Sequence, residues 1–291
     1  MKLDKLKNME KAIIKDQGKF DEKLKAIIAG GTDKLHVRMD FDGTVTKAIV
    51  DGKIVPSLIS VLRDEDFLGA DYSRKAHALY NKYHAVEIDP NVANADKKIL
   101  MREWWQTHFN LLIEKGFSKR YIERALQSAR IRLRDGFVEF AKILAQNKIP
   151  LVIMSCSGMG ADMIRMVLEK NNVLFDNMHI ATNQYEWDGQ GTAVGVVEPI
   201  VHVLNKDEES IERFPKIKEA IKDRPNVLLI TDAATDITMV DGARINNCLS
   251  FGFLNVDVER RIEEFKKTFD AVLLDDAPLD LCNEVLKKIC E

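Results

Sequence analysis

The apolar and polar positions of this chain fall into two alternating rhythms. Short apolar runs that stop at a polar cluster occur at 35–39, 149–154, 178–182, 193–197, 227–231, 248–254 and 271–274. Runs of that length and composition predict strands, and several lack the polar face of a strand open to water on one side. Amphipathic stretches lie between and around them, at 1–30, 73–83, 97–115 and 118–134, and predict helices. In the first of these, Ile13, Ile14, Leu24, Ile27 and Ile28 sit among many charges, and Gly30-Gly31 supplies the stop. Strands alternating with helices imply an α/β fold, a parallel sheet covered on both faces. Residues 50–140 show helical patterns and no convincing strand, so they read as a helical cap inserted into a core made of 1–49 and 141–291.

Composition narrows the class. With 291 residues and 46% hydrophobic content, the chain can bury a sizeable core. A net charge of −3 gives no general attraction to a nucleic-acid polymer or an anionic membrane. No apolar stretch approaches the ~18 residues that span a bilayer, and the first twenty residues are charged throughout, unlike a signal peptide. Cys156, Cys248, Cys282 and Cys290 show no close-pair metal spacing and suit a reduced, cytoplasmic protein.

Candidate chemistry gathers where apolar runs end, which in a parallel sheet is where ligands bind. The first run leads into Asp40-Phe41-Asp42-Gly43-Thr44. Two carboxylates one residue apart can share a divalent cation and leave one free to attack phosphorus. A calcium loop also opens Asp-x-Asp, but it needs Gly at its sixth position and usually Glu at its twelfth; here Gly43 is fourth and Asp51 twelfth. A plain Asp-Gly turn is the other competing reading. The second run leads into Ser155-Cys156-Ser157-Gly158-Met159-Gly160 and a helix, where backbone N–H groups and hydroxyls suit a phosphate. Lys206 follows the mainly apolar stretch 199–204 and could offset negative charge as an acidic nucleophile meets an anionic substrate. The run 227–231 ends in Asp232, with Asp236 four residues on, and Asp232 can add an oxygen ligand for magnesium.

Taken in order, DxDGT, strand-end Ser, Lys and xDxxxD resemble the haloacid-dehalogenase-type phosphotransferases. Within that superfamily the chain resembles the cytosolic pyrimidine 5'-nucleotidase family, the type III cytosolic nucleotidases, from about Lys23 to the C-terminus. Segments 26–31, 82–90, 202–206 and 239–242, together with Glu103-Trp104, carry the closer likeness.

The resemblance implies a Rossmann-like parallel core with an inserted helical cap, and hydrolysis of CMP and UMP with CMP preferred. It implies Asp40 as nucleophile and Asp42 as acid and base. Ser155, Cys156 or Ser157 would lie on the phosphoryl group with Lys206. Magnesium would sit among Asp40, the Asp42 carbonyl and Asp232, supported by Asp236. Glu87 would accept from the amino group of cytosine, while Trp104 and His108 lie near the base. The substrate would be a small nucleoside monophosphate and the enzyme a cytoplasmic monomer. Three departures from the family pattern stand out: Thr231 precedes Asp232 where Gly is usual, the serine loop is a residue longer, and His108 replaces a small hydroxyl residue. The alternatives are 7-methyl-GMP as substrate, phosphate transfer to a nucleoside, a non-nucleotide phosphatase, and a silent nucleotide-binding scaffold.

Overall fold

The computed structural model describes residues 11–55, 57–89, 91–127, 131–207 and 211–291. Strands are β1 (Ala12–Ile14), β2 (Leu35–Met39), β3 (Ile49–Val50), β4 (Lys53–Ile54), β5 (Leu151–Met154), β6 (Met178–Ala181), β7 (Tyr185–Trp187), β8 (Ala193–Val196), β9 (Asn226–Thr231), β10 (Asn247–Leu254) and β11 (Ala271–Leu274). Helices are α1 (Gln17–Gly30), α2 (Leu58–Asp64), α3 (Ala70–Ile88), α4 (Asn94–Glu114), α5 (Lys119–Gln127), α6 (Phe137–Gln146), α7 (Gly160–Lys170), α8 (Pro215–Ile221), α9 (Val258–Thr268) and α10 (Asp280–Cys290).

Seven strands form the main sheet in the order β1-β11-β10-β9-β2-β5-β6, parallel throughout except for β1. In β2 and β9 every residue is buried, because β2 lies between β9 and β5 and both sheet faces are covered. Val37 and Met39 of β2 join Leu228 and Ile230 of β9 on one face, against Phe20, Leu24 and Ile27 of α1 and Val285 and Leu286 of α10. On the other face Val152, Val227 and Leu229 pack on Ile217 and Ile221 of α8. Crossover from β2 to β9 places the ends of both strands side by side, which brings residues 40 and 232 together although they are far apart in sequence.

Between β2 and β5 the chain leaves the sheet through α2, α3, α4 and α5. Their apolar side is not an independent core. Tyr72, Trp105, Phe109 and Phe117 belong to the same cluster as the sheet, and Phe109 and Phe117 meet Tyr185 edge-on or tilted at 5.6 and 5.1 Å.

Several expectations are corrected. Ile13 and Ile14 are not helical: they pair antiparallel with Val272 and Ala271 as an edge strand, and Asp16 starts α1 by accepting from the Lys19 amide at 3.1 Å. Residues 193–197 do not join the main sheet, because β8 pairs with β7 in a separate hairpin and leaves Val194 exposed. Residues 131–134 are extended rather than helical, with Leu133 bridged to Thr46. The region after residue 48 contains a small hairpin, β3 with β4, turned by Asp51 and Gly52 at φ of 51° and 72°. Consecutive positive φ values are what a tight two-residue hairpin turn needs, and the Asp-Gly pair supplies them. Asp51 is therefore a turn residue, not the twelfth position of a calcium loop.

Candidate active site

Asp40 stands immediately beyond β2, its amide still bonded to the Ile230 carbonyl at 3.0 Å. The chain then turns at Gly43, whose φ is 69°. A Cβ at Gly43 would lie 2.3 Å from Asp232 Oδ2, so a side chain there would force the two acidic strand ends apart. The DxDGT turn is thus required to be bare on the side that faces β9.

Lys206 Nζ donates to Asp40 Oδ1 at 2.6 Å and to Asp236 Oδ2 at 2.8 Å, all three side chains being buried. The turn before Lys206 is tied to itself: His202 N donates to Asn205 Oδ1 at 2.6 Å, and Asn205 Nδ2 donates to the Ile200 carbonyl at 2.9 Å. Asn183 clamps the same segment through the Val201 amide and carbonyl at 2.8 and 2.9 Å. Thr231, at the place where the family pattern has Gly, donates its hydroxyl to Asp236 Oδ2 at 2.7 Å and accepts from the Ala233 amide at 3.2 Å. The departure from the pattern has a use: it fixes the carboxylate that Lys206 bridges.

Four carboxylates surround one lysine, and the electrostatics record the imbalance. Burial pushes Asp40 up to about 6 even with Lys206 against it. Burial, then the Asp40 charge, pushes Asp42 up to about 7. Asp232 is raised well above the usual carboxylate range by burial and by Asp40 and Asp236. Burial alone would lower Lys206, but Asp236 and Asp40 outweigh it and hold the ammonium charged.

Two residues without a sequence signal support this centre from behind. Arg134 is almost fully buried and reaches the Thr44 carbonyl at 2.8 Å, the Gly43 carbonyl, the Ala277 carbonyl at 2.7 Å and Asn255 Oδ1 at 3.1 Å. Its charge is balanced by Asp276 at 3.1 Å, and its guanidinium lies 3.9 Å over the Phe253 ring. Asn255 in turn donates to the Gly43 carbonyl at 2.9 Å and to Asp232 Oδ2 at 3.3 Å. The arginine sits where the chain re-enters the core from the helical block, so one side chain joins that crossing, the DxDGT turn and the loop before α10.

Ser155 is buried at the end of β5, its amide bonded to the Ala181 carbonyl at 3.1 Å. Ser157 Oγ accepts from the Met159 amide at 3.2 Å. Gly158 lies against the helical block, where a Cβ would meet Ile59 at 2.8 Å and Trp105 at 2.9 Å. Between this loop and the helices is a cavity of about 130 Å3. Asp42, Cys156 and Ser157 line it on the core side, and Arg63, Tyr80, Trp104, Trp105 and His108 line it on the other. Burial keeps His108 neutral, lowering it to about 4, and its Nε2 is 3.0 Å from the Tyr72 hydroxyl. Burial raises the Cys156 thiol to about 12, so it stays protonated.

The expected residues Asp40, Asp42, Lys206, Asp232 and Asp236 meet at one place, and Trp104, His108, Cys156 and Ser157 share the adjoining cavity. Glu87 does not line that cavity. Its carboxylate is 3.1 Å from His84 Nδ1, and its backbone carbonyl accepts from Lys97 Nζ at 2.9 Å. Arg63 and Tyr80 were not expected there. Their only sequence signal is a cation and an aromatic ring on neighbouring amphipathic helices, which many surfaces share.

A parallel sheet with carboxylates at the ends of two adjacent central strands, a bridging lysine and an inserted helical block is the frame of the haloacid-dehalogenase-type hydrolases. A phosphoserine phosphatase solved as a phospho-aspartyl intermediate analogue shares the fold, with TM-score 0.50 and 18% identity over 87% of this chain and 97% of that one. The match is much closer to cytosolic 5'-nucleotidase IIIB bound to cytidine: TM-score 0.83 and 25% identity, covering 99% of this chain and 97% of the other. The family model described as pyrimidine 5'-nucleotidase (UMPH-1) matches residues 43–290. The human 7-methylguanosine phosphate-specific 5'-nucleotidase is 31% identical over 278 residues, 95% of this chain and 92% of its own length. Its Xenopus laevis counterpart A is 30% identical over 275 residues, 94% of each chain. The chain belongs to the pyrimidine 5'-nucleotidase family, and it is a 5'-nucleotidase.

Proposed function

We propose that the protein hydrolyses pyrimidine nucleoside 5'-monophosphates, with CMP preferred, through an aspartyl-phosphate formed on Asp40. The observation that carries this reading is the buried Asp40–Lys206–Asp236 chain, which lies beside Asp42 at the mouth of an aromatic cavity. In the first step an Asp40 oxygen bonds to phosphorus as the bond to the 5'-oxygen breaks, and protonated Asp42 gives that oxygen its proton. In the second step Asp42 takes a proton from water, which bonds to phosphorus and releases the Asp40 carboxylate. A carboxyl group raised to about 7 is matched to both duties near neutral pH. Lys206, with Ser155 just beyond β5 and Ser157 in the loop before α7, would hold phosphoryl oxygens.

Magnesium fits this donor set. Among the described residues no three His, Cys, Asp or Glu side chains are arranged to hold a metal ion by themselves. A magnesium ion held by Asp40, Asp232 and the Asp42 carbonyl needs only two side chains, with waters and phosphate completing its shell. Burial raises Asp40 and Asp232 first and the neighbouring carboxylates add to it, so an ion bound there would offset negative charge that is costly to bury. When bound it would supply Lewis-acid stabilisation of the phosphoryl oxygens.

The division into a core (1–49 and 141–291) that carries the chemistry and a cap (50–140) that chooses the base is part of this proposal. An apolar cavity of about 150 Å3 takes one benzene-sized ring, so a cavity of about 130 Å3 matches a single-ring base in the conformation described. A second reading, 7-methyl-GMP as substrate, is favoured by the names of the relatives and by the paired Trp104 and Trp105, on which a cationic base would stack. Phosphate release with magnesium from CMP, UMP, 7-methyl-GMP, AMP and phosphoserine decides between them. CMP and UMP well ahead of the rest supports the proposal. A lead for 7-methyl-GMP replaces the base assignment, and release from phosphoserine alone removes the nucleotide.

A further inference from the structure

One side chain that faces the base cavity is a permanent cation. Arg63, near the end of α2, lines the cavity with Tyr80 and Trp104, and its side chain is only 11% exposed. Its guanidinium carbon lies 4.6 Å from the centre of the Tyr80 ring, Nη2 donates to Ser60 Oγ at 3.0 Å, and Nε is 3.4 Å from Asp64 Oδ1. Among the described residues Nη1 has no hydrogen-bond partner. A guanidinium stacked on one ring and tied at two of its nitrogens is already ordered, so a ligand bonding to the remaining donors adds little ordering cost. A guanidinium donor left over in the cavity wall can form a charge-assisted hydrogen bond to an acceptor on the ligand.

We propose that Arg63 determines base choice in this enzyme, donating to the adjacent N3 and O2 acceptors of cytosine and opposing a base that carries positive charge. The inference rests on the cavity being the base site. Cytosine offers two neighbouring acceptors to a forked donor. Uracil carries a proton on N3 and offers only single carbonyls. Guanine methylated at N7 has lost the N7 acceptor of its O6/N7 pair and is cationic, so the guanidinium meets one acceptor and a like charge. Glu87 is 3.1 Å from His84 Nδ1 and does not itself line the cavity, although its charge reaches the Cys156 thiol that does. His108 is buried and neutral, and Asp42, which also lines the cavity, serves the phosphoryl group in the proposed reaction. The order of base preference that follows is cytosine, then uracil, then 7-methylguanine.

The test is a binding measurement independent of turnover. Quenching of tryptophan fluorescence, with Trp104 and Trp105 in the cavity, would be followed during titration with cytidine, uridine and 7-methylguanosine. Wild type would be compared with Arg63→Gln and Arg63→Lys, and melting temperatures would check that each variant folds. Loss of a charge-assisted pair predicts that Arg63→Gln weakens cytidine by about 10- to 100-fold. The same change should leave 7-methylguanosine unchanged or tighter. Arg63→Lys keeps the charge and loses the fork, so cytidine should weaken while 7-methylguanosine stays excluded. Opposite movement of the two nucleosides is the supporting result, since a merely loosened cavity would weaken both. Equal weakening of both, or unchanged cytidine binding, overturns the assignment. Nucleoside binding that follows the expected pattern while no nucleotide releases phosphate would refute the proposed reaction and leave Arg63 in its role.

Discussion

The acidic centre around Lys206 and the aromatic cavity beside it are built on opposite physical plans. At the centre, charges are locked by short buried hydrogen bonds: Lys206 between Asp40 and Asp236, Arg134 between two carbonyls of the DxDGT turn and Asp276. In the cavity, rings do most of the work. Trp104 stacks on Tyr83 at 5.8 Å and on Trp105 at 6.0 Å, while Tyr80 stacks on His84 at 4.8 Å. Directional bonds in a low dielectric tolerate almost no change of partner, because a buried group left unpaired is expensive. Stacked rings tolerate substitution by other flat apolar groups, since their attraction depends weakly on identity. One region is therefore suited to a fixed reaction and the other to a choice of base.

Substitutions in the two regions should differ in size and in kind. Asp40→Asn should remove the nucleophile and lower turnover by about 10^4-fold or more with the fold retained, measured as phosphate release beside a thermal melt. A protein that still turned over nucleotide after that change would not use Asp40 covalently. Arg134→Met should leave the half-buried Asp276 with only the Ala48 and Ile49 amides, remove the donor to the Gly43, Thr44 and Ala277 carbonyls, and cost about 3 kcal/mol of stability. Denaturant unfolding would show it, and a loss below 1 kcal/mol would mean that the arginine is not the tie between turn and core.

Trp104→Ala should raise KM for CMP about 10-fold, on the scale of one lost stacking face, with kcat changed far less. A fall confined to kcat would place Trp104 in the chemistry instead of the base site.

The smallest effect is on pH dependence. In the protein freed of divalent cations, Asp42 is raised to about 7 by burial and the Asp40 charge. Its folded value lies above its unfolded one, so its contribution is fully present below 3.8 and is lost progressively as pH rises to about 7, above which both states are ionised. His108 and His202 are lowered to about 4, chiefly by burial, so their opposing loss begins only below the ordinary histidine value near 6.5. From pH 6.5 to about 7.5 the melting temperature should therefore fall as the last of this contribution is lost, and it should level off above that. Asp42→Asn should flatten the slope, and magnesium should reverse it. An unchanged slope in Asp42→Asn would mean that another group titrates there.

The contrast extends to what could be seen in advance. The centre was legible because each of its residues follows an apolar run, and strand ends are few. Arg134 and Asn255 were not legible. Arg134 fell inside a stretch that reads as helix, and nothing in a linear pattern marks an arginine whose charge is answered by Asp276, far along the chain. Thr231 looked like a mere departure until its hydroxyl was found on Asp236. The helices of the cavity were foreseen from their periodicity, yet which of their polar residues face inward was not. Glu87 and Arg63 sit on equally plausible faces, and the packing of α2 against α3 decides that Arg63 lines the cavity and Glu87 does not.

By itself the sequence determined the parallel α/β core, the inserted helices and the set of acidic and basic residues at the strand ends. Apolar periodicity and abrupt polar stops are local properties of a chain. Only the tertiary structure decided that Ile13 and Ile14 close the sheet edge, that β7 and β8 stand apart from it, and that Arg134 ties three loops together. It also decided that the cation Arg63 lines the aromatic cavity. Each of these depends on pairing or burial between segments far apart in the chain, where the free energy belongs to the contact and not to either segment alone.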